Sequence, residues 1–395
     1  MRRSRFRVAV ITTVSTALVA LSLPMAQAGD VAPPGDPWAW GRNDAGYVGN
    51  GCVGHDIDRP ERVTRLLGVT LISHGALAVT SDMQLWAWGP NSHGQVGDGT
   101  TEMRCEPVMV PGMDDVVAIS GGHQYSLALR ANGRVWAWGD NDYGQLGNET
   151  TVDSPNPMRV RHLKNAVAVS AGPDHALALK ANGKVKAWGN NTNGELGDGT
   201  TLSQLRPRTV PGLTDVVSIS AGGYDDGIRP DYGFNLVVRA DGTLWAWGYN
   251  KVSQLGDGTT ITRYVPTEIP GLTDVAAVSA GDYFSLALRI DGTAWAWGEN
   301  SNGELGNGTT MGSRTPQQVP GLAGVTAVAA GGQYSLALTA DGLMFAWGEN
   351  SHGQLGNGEP AGDVLEPGQV LDLTGVTAID AGLQTSYAIA MPSSG

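Results

Sequence analysis

The dipeptide Trp-Gly recurs seven times, with its tryptophans at Trp40, Trp88, Trp138, Trp188, Trp247, Trp297 and Trp347. The steps between them are 48, 50, 50, 59, 50 and 50 residues. A period near 50 marks a repeat architecture, in which each unit must stack on a neighbour to bury its apolar face. The paired glycines Gly41, Gly89, Gly139, Gly189, Gly248, Gly298 and Gly348 keep the same beat. All 12 tryptophans lie in this strand or its variants, so tryptophan serves the repeat before it serves any ligand.

One unit displays the grammar. It runs W-A-W-G-E-N-S-N-G-E-L-G-N-G-T-T from Trp295, then R-T-P-Q-Q-V-P-G-L, then V-T-A-V-A-A-G-G-Q-Y-S-L-A-L-T-A-D-G. In W-A-W the indoles share one strand face and alanine takes the other, the period-two signature of a sheet. Asn132-Gly133, Asn182-Gly183, Asp241-Gly242, Asp291-Gly292 and Asp341-Gly342 predict tight primed hairpin turns. Pro-Gly at Pro111, Pro211, Pro270 and Pro320 predicts type II turns. The sum is about four short strands per ~50-residue repeat and no helix, which selects an all-β, seven-bladed β-propeller. The last repeat stops at Tyr387-Ala388-Ile389-Ala390 without a W-A-W-G, and the first W-A-W-G has no S-L-A-L before it. The N-terminal strand is therefore expected to pair in the C-terminal blade and close the ring, removing exposed edges.

Residues 1–28 read as a secretory signal peptide. Arg2, Arg3, Arg5 and Arg7 precede an uncharged, mostly apolar stretch, and Ala26-Gln27-Ala28 supplies a small-x-small cleavage site. Residues 29–36 follow as a short linker, 37–391 as the propeller and 392–395 as a tail. Cleavage after Ala28 leaves 21 basic residues against 38 acidic, a balance that repels phosphate backbones and favours cationic partners. No nucleic acid, no membrane insertion after cleavage and a monomeric state are expected. Cys52 and Cys105, the only cysteines, read as one disulfide in an exported chain.

Motifs that carry chemistry are scarce. The seven histidines lack metal-ligand spacing, and His93 and His352 read as exposed turn residues. His175 reads as structural. Ser126, Ser285 and Ser335 precede L-A-L without a nucleophile elbow and are expected to bond backbone inside the blade. The Asp-Gly-Thr turns lack the dense acid ligands of a calcium loop. No catalytic residue, metal or cofactor is predicted. Carboxylates gathered from distant repeats into the funnel are the one route to glycan chemistry that remains.

Deviations from the repeat mark where a partner would sit. The long fourth step inserts Gly223 to Gly233, with Tyr224, Asp225, Asp226, Ile228, Arg229, Asp231 and Tyr232 as contact candidates. Tyr125, His175, Tyr283, Phe284 and Tyr334 occupy the matching loops of other repeats. They either ring one mouth of the channel as a binding face or plug the blade tops. The first repeat, with Gly46-Tyr47-Val48-Gly49, Arg59, Arg62, Arg65 and a shortened loop near His74, reads as the loose start of the ring.

The turns Gly144-Gln145-Leu146-Gly147 and Gly353-Gln354-Leu355-Gly356, the Asp98-Gly99-Thr100 turn, the A-G-x-x-x-S/A-L-A-L stretch and the Trp-Gly strand together resemble the regulator-of-chromosome-condensation repeat family over residues 37–391. The resemblance implies a seven-bladed propeller with a split closing blade. The family's namesake is a nuclear exchange factor for a small GTPase that binds chromatin. Other members are exported bacterial proteins, including an inhibitor that grips β-lactamases with one propeller face. An acidic chain with a leader points to the exported side. The reading is a secreted, non-catalytic propeller that binds an extracellular protein, as an interaction or inhibitory module, through the loops of one face. The alternatives are a carbohydrate or cell-wall binder, possibly glycan-active, and guanine-nucleotide exchange by family analogy.

Overall fold

The structure, a computed structural model, describes residues 33–52, 54–224, 232–359 and 362–392. The expected signal peptide, the first half of the linker, and the insertion residues Asp225, Asp226, Ile228, Arg229 and Asp231 lie outside the described residues. The described residues form seven four-stranded antiparallel sheets and no helix.

Blade 5 shows the pattern. Its strands are Val275–Ala280, Phe284–Arg289, Ala294–Gly298 and Ser313–Gln318, running from the axis outward. Blades 1, 2, 3, 4 and 6 repeat it over 69–109, 116–159, 166–209, 216–268 and 325–369. Blade 7 is split between the termini. Asp36–Gly41 pairs with Thr385–Ala390 from Asp36↔Ala390 to Gly41↔Thr385, and Ile57–Arg62 and Val376–Ala381 complete the sheet. Gly35 already bridges Val69, so the fold begins slightly before Pro37. The hairpin turns differ from expectation. At Asn132-Gly133 only the glycine is left-handed (φ +71°), and Gly133 N–H donates to Arg130 O. This is a three-residue loop with a glycine bulge, not a two-residue primed turn, which would need positive φ at both positions.

The core lies in slices between blades rather than at the axis. Phe284, Leu286 and Leu288 of blade 5 pack on Val328, Ala337 and Trp347 of blade 6. Each slice is pinned by one polar contact. The seven Trp-Gly indoles donate through Nε1, at 2.8–2.9 Å, to the carbonyls of Gln354, Tyr47, Gln95, Gln145, Glu195, Gln254 and Glu304, each in the preceding blade. Two residues beyond each accepting carbonyl stands a glycine, from Gly49 to Gly356, whose added Cβ would lie 2.6–2.9 Å from the indole nitrogen. Ser126, Ser285 and Ser335 donate to three of the same carbonyls (Gln95, Gln254 and Glu304) at 2.7–2.9 Å. A buried asparagine holds the accepting turn in shape. Asn300 Oδ1 takes the Leu305 N–H, while its Nδ2 reaches the carbonyls of Thr309 and Met311.

The start of the ring is not loose. Arg59 pairs with Asp372, Arg65 with Glu106 and His352 with Asp56 (2.7 Å), while Tyr47 accepts the Trp88 indole. Cys52 and Cys105 form a disulfide with Cα atoms 5.1 Å apart, joining blade 7 to blade 1.

Two measurements follow from this framework. Trp297→Phe keeps an aromatic ring but leaves the Gln254 carbonyl with the Ser285 hydroxyl alone as side-chain donor and should cost about 2 kcal/mol in denaturant unfolding; Gly256→Ala, at φ +79° and against the indole, should cost at least as much. Replacing both cysteines by serine opens a 53-residue span and should lower stability by up to about 4 kcal/mol on the chain-entropy account.

Candidate functional site

The inner strand of each blade ends on small residues because seven strands converge there. Gly121, Ala171, Gly222, Gly281, Gly331 and Gly382 line a funnel on the axis, with Arg42, Tyr47, His74, His123 and Asp282 among its polar walls. Serines on the inner strands stitch neighbouring blades around it: Ser120, Ser170, Ser220 and Ser279 accept the N–H of Ala171, Ala221, Ala280 and Ala330 at 2.8–3.0 Å.

The candidate contact residues divide sharply. Tyr125, His175, Phe284 and Tyr334 are 0–1 % exposed and offer no surface to a partner. They plug the blade tops. A Cβ at Gly331 would lie 2.2 Å from Tyr334 Cε1, and one at Gly281 2.5 Å from Phe284 Cε1, so glycine in A-G is the seat for the ring. Tyr334 donates to Thr385 O and Tyr125 to His175 O, both across a blade boundary. His175 Nε2 sits 2.9 Å from Asn235 Oδ1, and burial lowers its pKa.

Tyr224, Tyr232 and Tyr283 are instead half-buried and meet each other, and Tyr249 joins them. Ring centroids are 5.6 Å apart for Tyr224–Tyr283, 6.1 Å for Tyr232–Tyr283 and 4.6 Å for Tyr232–Tyr249. The cluster spans the mouth of blades 4 and 5. Tyr249 escaped the sequence analysis, although it stands where other repeats carry Asp140, Asn190, Glu299 and Glu349 directly after Trp-Gly. That substitution changes the hydrogen bonding below. Gln145 Nε2 donates to Asp140 (2.7 Å) and Asp174 (3.3 Å), and Gln354 Nε2 to Glu349 (3.1 Å). Gln254 occupies the matching place with Tyr249 and Tyr283 in those acceptor positions. Its Oε1 takes the Val252 N–H, and its buried Nε2 has no partner among the described residues.

Acids gather on the same side of the funnel. Asp282 is 6 % exposed and lines the cavity with its Oδ2 against Gly332. Burial, then Glu349 and Glu304, push its pKa well above the carboxylate range. Burial also raises the Tyr283 hydroxyl, with Asp282 adding to it. Glu304 and Glu349 are engaged: Glu304 accepts from Asn302, and Glu349 from Gln354 and Ser351. The opposite wall is differently charged. Arg42 pairs with Asp44, and His74 with Asp380 at 3.1 Å across the blade 7–blade 1 boundary. His93 is no free turn residue either. Its Nδ1 lies 3.1 Å from Asp153 and 3.8 Å from Asp140, the one group among the described residues close enough together to hold a metal ion. Asp153 also accepts the Asn141 N–H and Asp140 the Gln145 amide, so the three act as a clamp between blades 1 and 2.

A family model described as the regulator of chromosome condensation (RCC1) repeat matches residues 83–129, 132–179, 182–224, 241–288, 291–338 and 341–389. A second model of the same description matches 116–145, 166–195, 275–304 and 325–354. No curated protein matches. Among solved structures, human WBSCR16 is 24 % identical over 90 % of this chain and 100 % of its own, with a TM-score of 0.79. Prp20p from Saccharomyces cerevisiae, described with its binding properties to Gsp1p and histones, is 23 % identical over 94 % of each chain (TM-score 0.80). Yeast RCC1 (Prp20) bound to Kap60 is 22 % identical over 100 % of this chain and 97 % of its own (TM-score 0.81). These likenesses establish the fold.

The partly exposed His74 and the buried His175 carry opposite pH signatures. Burial lowers the His74 pKa, but the Asp380 carboxylate outweighs it and the net shift is upward. Its stabilisation is present below the unfolded value near 6.5 and lost as pH rises through the folded value. His175 is shifted down, so its contribution is present above that unfolded value and lost as pH falls through the folded one. In thermal melts across pH, His74→Asn should be most destabilised relative to the parent on the acid side, with the gap narrowing as pH rises. His175→Asn should instead flatten the parent's loss of stability on acidification.

Proposed function

The chain belongs to the regulator of chromosome condensation repeat family, and on that footing we propose that it is a secreted propeller whose loop face at blades 4 and 5 binds another protein. The carrying observation is the cluster of Tyr224, Tyr232, Tyr249 and Tyr283 over the unmet amide of Gln254. Tyrosine supplies large, rigid contact area at low entropic cost and is enriched at interface hot spots. A buried donor without an acceptor costs free energy that an entering oxygen recovers. The relatives fit: Prp20p is described as binding Gsp1p and histones, and yeast RCC1 is seen with Kap60. Export draws on the arginine-led apolar leader ending at Ala28 and on the acidic balance.

The binding role is non-catalytic. Glycoside cleavage calls on two carboxyl groups flanking one bond. In this funnel Asp282 lines the cavity, whereas Glu304 and Glu349 are held by their own loops. A second reading, carbohydrate binding, draws on the same tyrosine rings as stacking platforms.

The test is capture. Immobilised residues 29–395, incubated with the producer's secreted and wall fractions, should retain one dominant protein by mass spectrometry. Tyr283→Ala and Tyr232→Ala should abolish retention while melting within a few degrees of the parent. Retention of polysaccharide alone would favour the second reading, and undiminished capture by both variants would rule out this face.

A further inference from the structure

We propose that the funnel beside the tyrosine cluster takes the cationic side chain of a partner, a lysine ammonium or an arginine guanidinium, on the carboxylate of Asp282. The inference rests on the protein-binding reading of this face and adds the chemistry of the group that enters.

Four observations converge on it. Asp282 is nearly fully buried, lines the cavity, and receives no hydrogen bond or ion pair at its carboxylate among the described residues. Its neighbours make matters worse rather than better, since Glu304 and Glu349 are the charges that act on it. A buried charge without a partner is costly and is ordinarily paired or bound to a cation. The cavity supplies room, about 140 Å3 bounded largely by glycine and alanine. Tyr283 follows Asp282 directly in the chain, and Tyr224 and Tyr232 pack against it. A cation held within about 6 Å of such ring faces gains a further attraction that water does not replace.

The opposite wall sharpens the placement. Arg42, His74 and His123 stand on blades 7, 1 and 2, and Arg42 and His74 are already matched to Asp44 and Asp380. The funnel is therefore polarised, with the unpaired acid Asp282 on the blade 5 side, and an entering cation favours the ionised form of that carboxyl. A long, flexible stem ending in a compact or planar cation is suited to cross the mouth and reach that point. A carboxylate-bearing side chain would meet like charge.

Calorimetric titration of the full folded chain with three probes tests this. They are a capped trilysine peptide, a capped triglutamate peptide and n-butylammonium. Trilysine should bind and triglutamate should not. Asp282→Asn should weaken trilysine at least about tenfold, as expected when one partner of a buried charge pair is removed. It should melt at or above the parent temperature, since it removes a buried acid that has no partner. Glu268→Gln, an exposed acid on the outer strand of blade 4, should leave binding unchanged. Absence of trilysine binding, equal binding by Asp282→Asn, or an equal loss in Glu268→Gln overturns the proposal. Butylammonium binding as tightly as the peptide overturns the partner side chain in favour of a free small cation. If the peptide fails while Tyr283→Ala still abolishes protein capture, this inference falls and the protein-binding reading stands. Peptide binding without any captured protein gives the reverse.

Discussion

Every blade boundary turns on one hydrogen bond, from a Trp-Gly indole to a turn carbonyl in the blade before it. An indole is large enough to fill the slice between two sheets and still carries a donor at its far edge. The accepting carbonyl is buried, so it must be satisfied. In several boundaries a serine shares it, as Ser285 and Trp297 share Gln254 O. The neighbouring glycine is the counterpart of the indole, since any Cβ there would collide with the ring. Tryptophan, glycine and the turn carbonyl therefore form one unit, and its recurrence seven times makes the ring a chain of identical joints.

Closure adds a constraint that a chain of joints does not supply. Blade 7 is assembled from both ends of the polypeptide, so its loss would open two sheet edges. Its N-terminal half is tied outward to both neighbours, by Arg59 and Asp56 toward blade 6 and by Arg65 and the Cys52–Cys105 disulfide toward blade 1. The disulfide closes a 53-residue span and fastens the N-terminal half of blade 7 to blade 1.

A ring this uniform makes its exceptions stand out. Where Gln145 and Gln354 meet carboxylates of Asp140, Asp174 and Glu349, Gln254 meets Tyr249 of blade 4 and Tyr283 of blade 5. The exchange removes an internal acceptor from Gln254 and gathers aromatic rings at the loop face, next in the chain to the unpaired Asp282. Rigid blades hold these groups in place before any partner arrives, which reduces the ordering cost of binding.

How much of this was legible in the chain depends on range. The repeat period, the hairpin positions and the split closing blade follow from local pattern, because alternation and turn chemistry act over a few residues. The backbone role of Ser126, Ser285 and Ser335 was legible for the same reason. The primed form of the Asn-Gly turns was not, since the dipeptide also suits a type I turn with a glycine bulge. Tyr125, Phe284 and Tyr334 could be read as a face or as plugs, and only the approach of the next blade decided that they are buried on glycine. Tyr249 and Gln254 look ordinary in their own repeats and gain meaning from what the adjoining blade withholds. Asp282, Glu304 and Glu349 lie tens of residues apart, and His93 lies 60 residues from Asp153. The sequence by itself determined the blade and the number of blades, because those rest on near-neighbour periodicity. The funnel, its polarity and its tyrosine mouth were decided by ring closure, which brings together residues that no local spacing connects.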